Sequence, residues 1–142
     1  DLAKITAEVR PIADSMEDPP TEFELITALA MLYFAEKVQR LRDLGQKDII
    51  LDPGYGFAKT IDHNYELLQH QEMLKIFDLP ILVGLSRKSM VYNLLESTPQ
   101  QALNGTSVLH TLALLKGANI LRVHDVKACA EVIKIVQKTL HF

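Results

Sequence analysis

From Phe23 onward, apolar positions recur with a helical period and in short continuous runs, by turns. Phe23 to Leu44 carries Leu25, Leu29, Leu32, Val38 and Leu41 at helix-like spacings, and Gly45 supplies a stop. Asp48 to Leu51 is a short apolar run, read as a buried strand, that ends in Asp52-Pro53-Gly54. Asp62 is placed to cap a helix running through Leu67, Leu68 and Leu74. Leu79 to Val83 reads as a second buried strand closed by Gly84. Gln100 to Lys116 reads as a long apolar helix with Val108, Leu112 and Leu115 on one face and Gly117 as its stop. Asn119 to Val123 is the third strand, and a closing helix from Val126 to Leu140 sets Cys129, Val132, Val136 and Leu140 inward. Residues 1 to 22 read as a short helix and an irregular lead-in, because Pro11, Pro19 and Pro20 interrupt any long element. Thr21 followed by Glu24 has the form of a capping box at the head of the next helix. The domain expected from this pattern covers residues 23–142.

Strands buried on both faces read as continuous apolar runs, and strands alternating with helices form parallel βα units. Two architectures fit: an open doubly wound sheet, or part of a (β/α)₈ barrel. A complete barrel needs about 250 residues, so 142 residues fit only part of one.

Composition narrows the partners. With 48% hydrophobic residues the chain can build a core, and a net charge of −3 gives no basic footprint for nucleic acid. One cysteine, Cys129, excludes an internal disulfide and a cysteine-based zinc cluster; inside an apolar helix it reads as a buried, inert thiol. No apolar run approaches the roughly 20 residues of a membrane span, and the first residues have neither the basic nor the apolar region of a secretion signal. A cytoplasmic location is expected.

The chemistry-bearing residues fall where the runs end. Parallel pairing would carry three polar clusters to one rim: Asp52 to Lys59, Gly84 to Ser89, and Arg122 to Asp125. Asp52 follows an apolar run and is expected to be partly buried. It suits a heteroaromatic ring with paired N–H groups; the alternative is a cap on a loop amide. Ser86, Arg87, Lys88 and Ser89 set two cations beside two hydroxyls, as an anionic ligand requires, or form a solvated basic turn. Arg122 and His124 alternate along a strand and so share a side, a plausible clamp for phosphate or pyrophosphate. The alternative for His124 is a structural histidine. His63 and His70 read as solvated and His110 as a helix-packing residue. No phosphate-binding loop of the G-x-x-x-x-G-K or G-x-G-x-x-G type is present.

Three stretches in this order, ILDPGYGFAKT (50–60), LPILVGLSRKSM (79–90) and ALLKGANILRVHDV (113–126), resemble dihydropteroate synthases, and the resemblance extends over about residues 31 to 140. It implies a TIM-type (β/α)₈ barrel of which this chain covers the last three βα units. It also implies condensation of p-aminobenzoate with 6-hydroxymethyl-7,8-dihydropterin pyrophosphate in folate biosynthesis, releasing pyrophosphate. By the same resemblance Asp52 would hold the pterin, and Gly84 would leave room for its flat ring. Lys88 would contact the pterin and line the p-aminobenzoate side. Ser86 and Arg87 would shape the p-aminobenzoate pocket, with Phe57 packing against it, and Arg122 and His124 would bind the departing pyrophosphate. The family further implies Mg²⁺ accompanying the pyrophosphate, sensitivity to sulfonamides, and a possible homodimer.

Residues 1 to 30 carry none of the family's early-strand Asn and Asp motifs or covering loops, so no metal ligand is expected in this chain. A three-strand arc exposes sheet edges and apolar helix faces, so synthase activity is expected of a longer parent. Two alternatives are a non-catalytic pterin-binding fragment and a pterin- or folate-dependent methyltransferase domain; the latter would not be expected to carry both SRKS and RVHD.

Overall fold

The computed structural model describes residues 2–140, which fold as two compact units dividing between Ile49 and Ile50. The first unit is a pair of helices, α1 (Leu2–Asp14) and α2 (Glu22–Asp43), packed on each other. Pro11, expected to break the chain, lies inside α1. The Thr21 capping box forms as read: Thr21 Oγ1 accepts from the Glu24 N–H at 3.3 Å, and Glu24 Oε2 accepts from the Thr21 N–H at 2.8 Å. At the other end Gly45 takes φ +84°. Its N–H reaches the Arg42 carbonyl and the Gln46 N–H that of Leu41, both at 2.9 Å, which satisfies two of the last free carbonyls of α2. Within α2 only Val38 is fully buried; Leu32 and Leu41, on the same helical spacing, are exposed.

In the second unit, helices alternate with a short parallel ladder. Leu51 bridges to Ile81, β1 (Leu82–Val83) continues that run, and β1 pairs in parallel with β2 (Ile120–Leu121) in the register Leu82 with Ile120 and Val83 with Leu121. All three apolar runs therefore pair in parallel, but over fewer residues than expected. Pro80 has no N–H to give the ladder, so contact begins with its carbonyl, which accepts from the Leu51 N–H at 2.9 Å. Residues 48–50 precede the point where pairing starts, and Ile50 is exposed. The middle run lies deepest, with Ile81, Val83 and Leu85 all at most 1% exposed. At its entry, Asn119 Oδ1 accepts from the Ile81 N–H at 2.9 Å, a side chain taking the place of a strand partner.

The helices between these runs depart from the expected boundaries for local reasons. Thr60, not Asp62, caps α3 (Ile61–Gln69): its Oγ1 accepts from the His63 N–H at 3.1 Å, and Asp62 sits in the first turn, where the helix dipole favours a carboxylate. The helix stops at His70, and Leu74 is buried from a following 3₁₀ turn, Gln71–Phe77. After a one-turn α4 (Ser89–Tyr92) and a 3₁₀ turn at Pro99–Gln101 comes α5 (Leu103–Leu115). Its buried face is Thr106, Leu109, His110 and Ala113, whereas Val108, Leu112 and Leu115 are exposed, the reverse of the expected orientation. A helix apolar nearly all round does not announce its inner face; here polar partners on the facing loop select it. In α6 (Val126–Leu140), which packs on α5, Cys129 and Val136 are buried, Val132 is half-buried and Leu140 is exposed. Burial pushes the Cys129 thiol upward, in keeping with an inert role.

A buried polar node ties these layers together. Gln71, fully buried, accepts from the Tyr55 hydroxyl at 2.9 Å and donates to the carbonyls of Ala113 (3.0 Å) and Lys116 (3.3 Å) at the end of α5. Gln71→Leu keeps the volume but strands the Tyr55 hydroxyl and those carbonyls. It is expected to lower unfolding free energy by about 2–4 kcal/mol, measured by urea denaturation, because each stranded buried group costs roughly 1–3 kcal/mol.

Candidate functional site

The loops that follow Leu51, Val83 and Leu121 meet at one rim, as expected of parallel runs. The first loop is shaped by two glycines at positive φ, Gly54 (+71°) and Gly56 (+81°). It is pinned from α3 by the buried Asn64, whose Oδ1 accepts from the Gly56 N–H at 2.7 Å and whose amide donates to the Thr60 carbonyl at 2.6 Å. Lys59 Nζ closes the loop on the carbonyls of Gly54 (2.9 Å) and Phe57 (3.2 Å). Asp52 at its start is exposed, its side chain to 37%. Its Oδ1 accepts from the Gly54 N–H at 2.9 Å, the loop cap weighed as the alternative, and its Oδ2 stands 3.8 Å from Arg122 Nη2.

Lys88 reaches across from the second loop. Its Nζ donates to the Tyr55 carbonyl and lies 4.5 Å from the centre of the exposed Phe57 ring. A Cβ at Gly56 would come within 2.9 Å of the Lys88 stem, so this glycine keeps the path of Lys88 open. Burial, then the nearby Arg122 charge, push the Lys88 amine below the ordinary lysine range; Asp52 opposes that shift and Lys59 adds to it. Gly84 is covered in the same way: a Cβ there would meet Arg122 Nη2 at 2.8 Å, so the guanidinium lies against bare backbone.

The second and third loops are joined by two polar contacts of different kinds. Arg87 makes four hydrogen bonds to protein acceptors: Nε and Nη2 to the two Asp125 oxygens, each at 2.8 Å, and Nη1 to the carbonyls of Pro99 (2.7 Å) and Gln100 (2.8 Å). Its backbone is left-handed, at φ +53°, and its N–H is held by Thr106 Oγ1 at 3.0 Å. The fork holds the Asp125 carboxyl below the usual carboxylate range and raises the guanidinium further. Ser86, 5% exposed, has its Oγ 3.2 Å from the His124 backbone N–H, which donates to it, and 3.1 Å from His124 Nδ1.

Asp52, Phe57, Gly84, Ser86, Arg87, Lys88, Arg122 and His124 thus gather at one rim, with Arg87 turned into the protein and Arg122 and His124 exposed. The same pattern over Gly84 to Asp125 sits within a larger likeness. A family model described as "Pterin binding enzyme" matches residues 13–124. The chain belongs to this family. Over 128 residues, 89% of the chain, it is 39% identical to the dihydropteroate synthase of Escherichia coli (strain K12), of which the match covers 45%. Among solved structures, that of Yersinia pestis dihydropteroate synthase is similar with a TM-score of 0.75 at 44% identity, covering 78% of this chain and 46% of that one. A Coxiella burnetii dihydropteroate synthase solved with pteroic acid gives a TM-score of 0.79 at 35% identity, covering 84% and 45%. The chain therefore spans less than half the length of these relatives.

Asn64, Gln71 and Thr106 are not among the residues the sequence singles out, and Tyr55 and Asp125 lie within its clusters without a role of their own. The signals were faint: polar residues inside an amphipathic or apolar helix, and an acid beside a histidine. Histidines 63 and 70 are exposed and His110 is buried in α5, as read, its imidazole pushed down by burial.

Because the folded Asp125 carboxyl is held low, its ion pair contributes stability that is full above the ordinary carboxylate pKa of about 4 and is lost as pH falls through the lower folded value. Asp125→Asn is expected to lower Tm at neutral pH and to flatten the acid limb of a Tm-against-pH curve. An unchanged acid limb would show that the fork carries no linkage.

Proposed function

We propose that this chain supplies the last three βα units of a TIM-type (β/α)₈ barrel with dihydropteroate synthase activity, condensing p-aminobenzoate with 6-hydroxymethyl-7,8-dihydropterin pyrophosphate. The observation that carries this reading is the convergence of Asp52, Lys88, Arg122 and His124 on one rim at the ends of three parallel runs. Relatives that the chain resembles at 31–35% identity were solved with pteroic acid and with 7,8-dihydropteroate, which fits a pterin at this rim.

In this mechanism the amine nitrogen attacks the pterin methylene, the methylene C–O bond breaks, and pyrophosphate leaves with the electron pair while the amine gives up a proton. No side chain needs to become covalently attached. Asp52 Oδ2, which has no hydrogen-bond partner among the described residues, accepts from the pterin N–H groups. Gly84 leaves the backbone bare for the flat ring once Arg122 swings onto pyrophosphate. Lys88, its amine already partly desolvated, fixes the pterin and borders the p-aminobenzoate side together with the Phe57 ring. Arg122 and His124 take up the charge that develops on the leaving group, the electrostatic share of catalysis. Arg87 and Ser86 shape the p-aminobenzoate side from behind, through the backbone they hold in place.

Among the described residues no group of three or more His, Cys, Asp and Glu stands together, and Asp125 is committed to Arg87. No step here is routed through a protein-held metal; magnesium would travel with the pyrophosphate. Sulfonamide sensitivity, pairing as a homodimer and a cytoplasmic location belong to the same reading. A solved relative is described as a complex with a sulfonamide drug.

The test is pyrophosphate release by the full-length protein from the pterin pyrophosphate with and without p-aminobenzoate. Lys88→Ala and Arg122→Ala are each expected to lower kcat/KM by about 10²-fold or more while Tm holds, since both lie on the rim. Near-wild-type turnover in either variant would remove that residue from the mechanism. Asp52→Asn is expected to weaken pterin binding by about tenfold in calorimetry, because an amide offers a donor where an acceptor is wanted. Tight pterin binding with no turnover in the wild type would instead favour a non-catalytic pterin-binding role.

A further inference from the structure

We propose that Ser86 is a positioning residue that fixes the proton of the His124 imidazole on Nε2, so that the ring presents an N–H donor to an anion at the rim. The identity of that anion as pyrophosphate rests on the function proposed above; the proton's position does not.

The argument is an accounting of one buried hydroxyl. Ser86 is 5% exposed, so its buried O–H is expected to find an acceptor within the protein. Its oxygen already accepts the backbone N–H of His124 at 3.2 Å. The one other polar atom within hydrogen-bond distance among the described residues is His124 Nδ1, at 3.1 Å. If Nδ1 carried a proton, it would donate to an oxygen whose own proton then had no acceptor, and a stranded buried donor is costly. The arrangement that satisfies every atom has Ser86 O–H donating to a bare Nδ1. The ring proton of the neutral imidazole must then sit on Nε2, which has no protein partner among the described residues.

Two features make this a built contact. The serine comes from the loop after β1 and the histidine from the loop after β2, 38 residues apart, so the bond spans the parallel ladder. Beside it the Arg87–Asp125 fork fixes the backbone on either side, because Arg87 follows Ser86 and Asp125 follows His124. Two adjacent cross-loop bonds hold the ring in one setting, and an oriented ring loses less freedom when it binds.

The decisive measurement is a long-range proton–nitrogen correlation spectrum of the full-length protein carrying nitrogen-labelled histidine, recorded over rising pH until the ring shows its neutral form. His124 is assigned by its absence in His124→Gln. The expected wild-type spectrum shows a single state with Nδ1 bare and Nε2 protonated. In Ser86→Ala the two ring nitrogens are expected to move toward each other as both tautomers become populated, and Ser86→Thr, which keeps the hydroxyl, is expected to restore the wild-type pattern. A wild-type ring protonated on Nδ1, or one exchanging between both nitrogens, overturns the assignment; so does a Ser86→Ala spectrum identical to wild type. If Ser86→Ala does not fold, the wild-type spectrum decides alone. Calorimetry with inorganic pyrophosphate separates the two levels of the argument. A loss of about two- to tenfold in Ser86→Ala supports both. A wild type that shows the fixed tautomer but no pyrophosphate affinity leaves the Ser86 assignment standing and removes the anion proposed for His124.

Discussion

The rim depends on the forked contact between Arg87 and Asp125. It closes the loop after β1 onto the loop after β2 at 2.8 Å through both oxygens, and the remaining Nη1 bonds draw in the 3₁₀ turn at Pro99–Gln101. A fork of this kind fixes angle as well as distance, which a lysine would not do. It also sustains the left-handed backbone at Arg87, a conformation that a branched or long side chain adopts only when its surroundings insist. The neighbours of the pair, Ser86, Lys88 and His124, inherit their placement from it, since each is one residue away along the chain.

Below the rim, the same loops are anchored to the buried layer by polar contacts instead of by apolar packing alone. Tyr55 is 1% exposed, gives its hydroxyl to Gln71, and offers its carbonyl upward to Lys88. Tyr55 and Gln71 together thus join the end of α5 to the amine at the rim. The glycine-bounded loop around it cannot slide, because Asn64 holds the Gly56 N–H and Lys59 holds two carbonyls. Polar groups buried this far from water are costly unless satisfied, so each such bond constrains the fold as strongly as it stabilises it.

What was legible in the sequence follows from which forces act locally. The three apolar runs and their parallel pairing could be read, because a strand buried on both faces has to be apolar throughout. The capping boundary at Thr21 could be read because it is satisfied within four residues. The inner face of α5 could not: with leucine and valine on most sides, the choice of Thr106, Leu109, His110 and Ala113 is made by a loop 19 residues earlier in sequence, through the Arg87 N–H. Asp52 is the other departure: the run it ends pairs through a single bridge, Leu51 with Ile81, and its carboxylate stays open at the rim. The convergence of the three strand-end clusters was legible, but the division of labour inside it was not.

That division is clearest in a comparison of two Arg–Asp pairs. Both cross between strand-end loops, yet they differ in kind. Arg87 and Asp125 meet at 2.8 Å with every acceptor matched, and their side chains are 24% and 26% exposed. Arg122 and Asp52 stand 3.8 Å apart, beyond hydrogen-bonding distance, with 59% and 37% exposed. An exposed pair at that separation holds little, so exchanging it for a ligand costs little. The tight pair spends its charges on the protein; the loose pair keeps one carboxylate oxygen without a hydrogen bond among the described residues, and an exposed guanidinium lying over a bare glycine. A ligand with N–H donors at one end and anionic oxygens at the other would part that loose pair and satisfy both halves, and the fork beside it is what keeps the gap from collapsing.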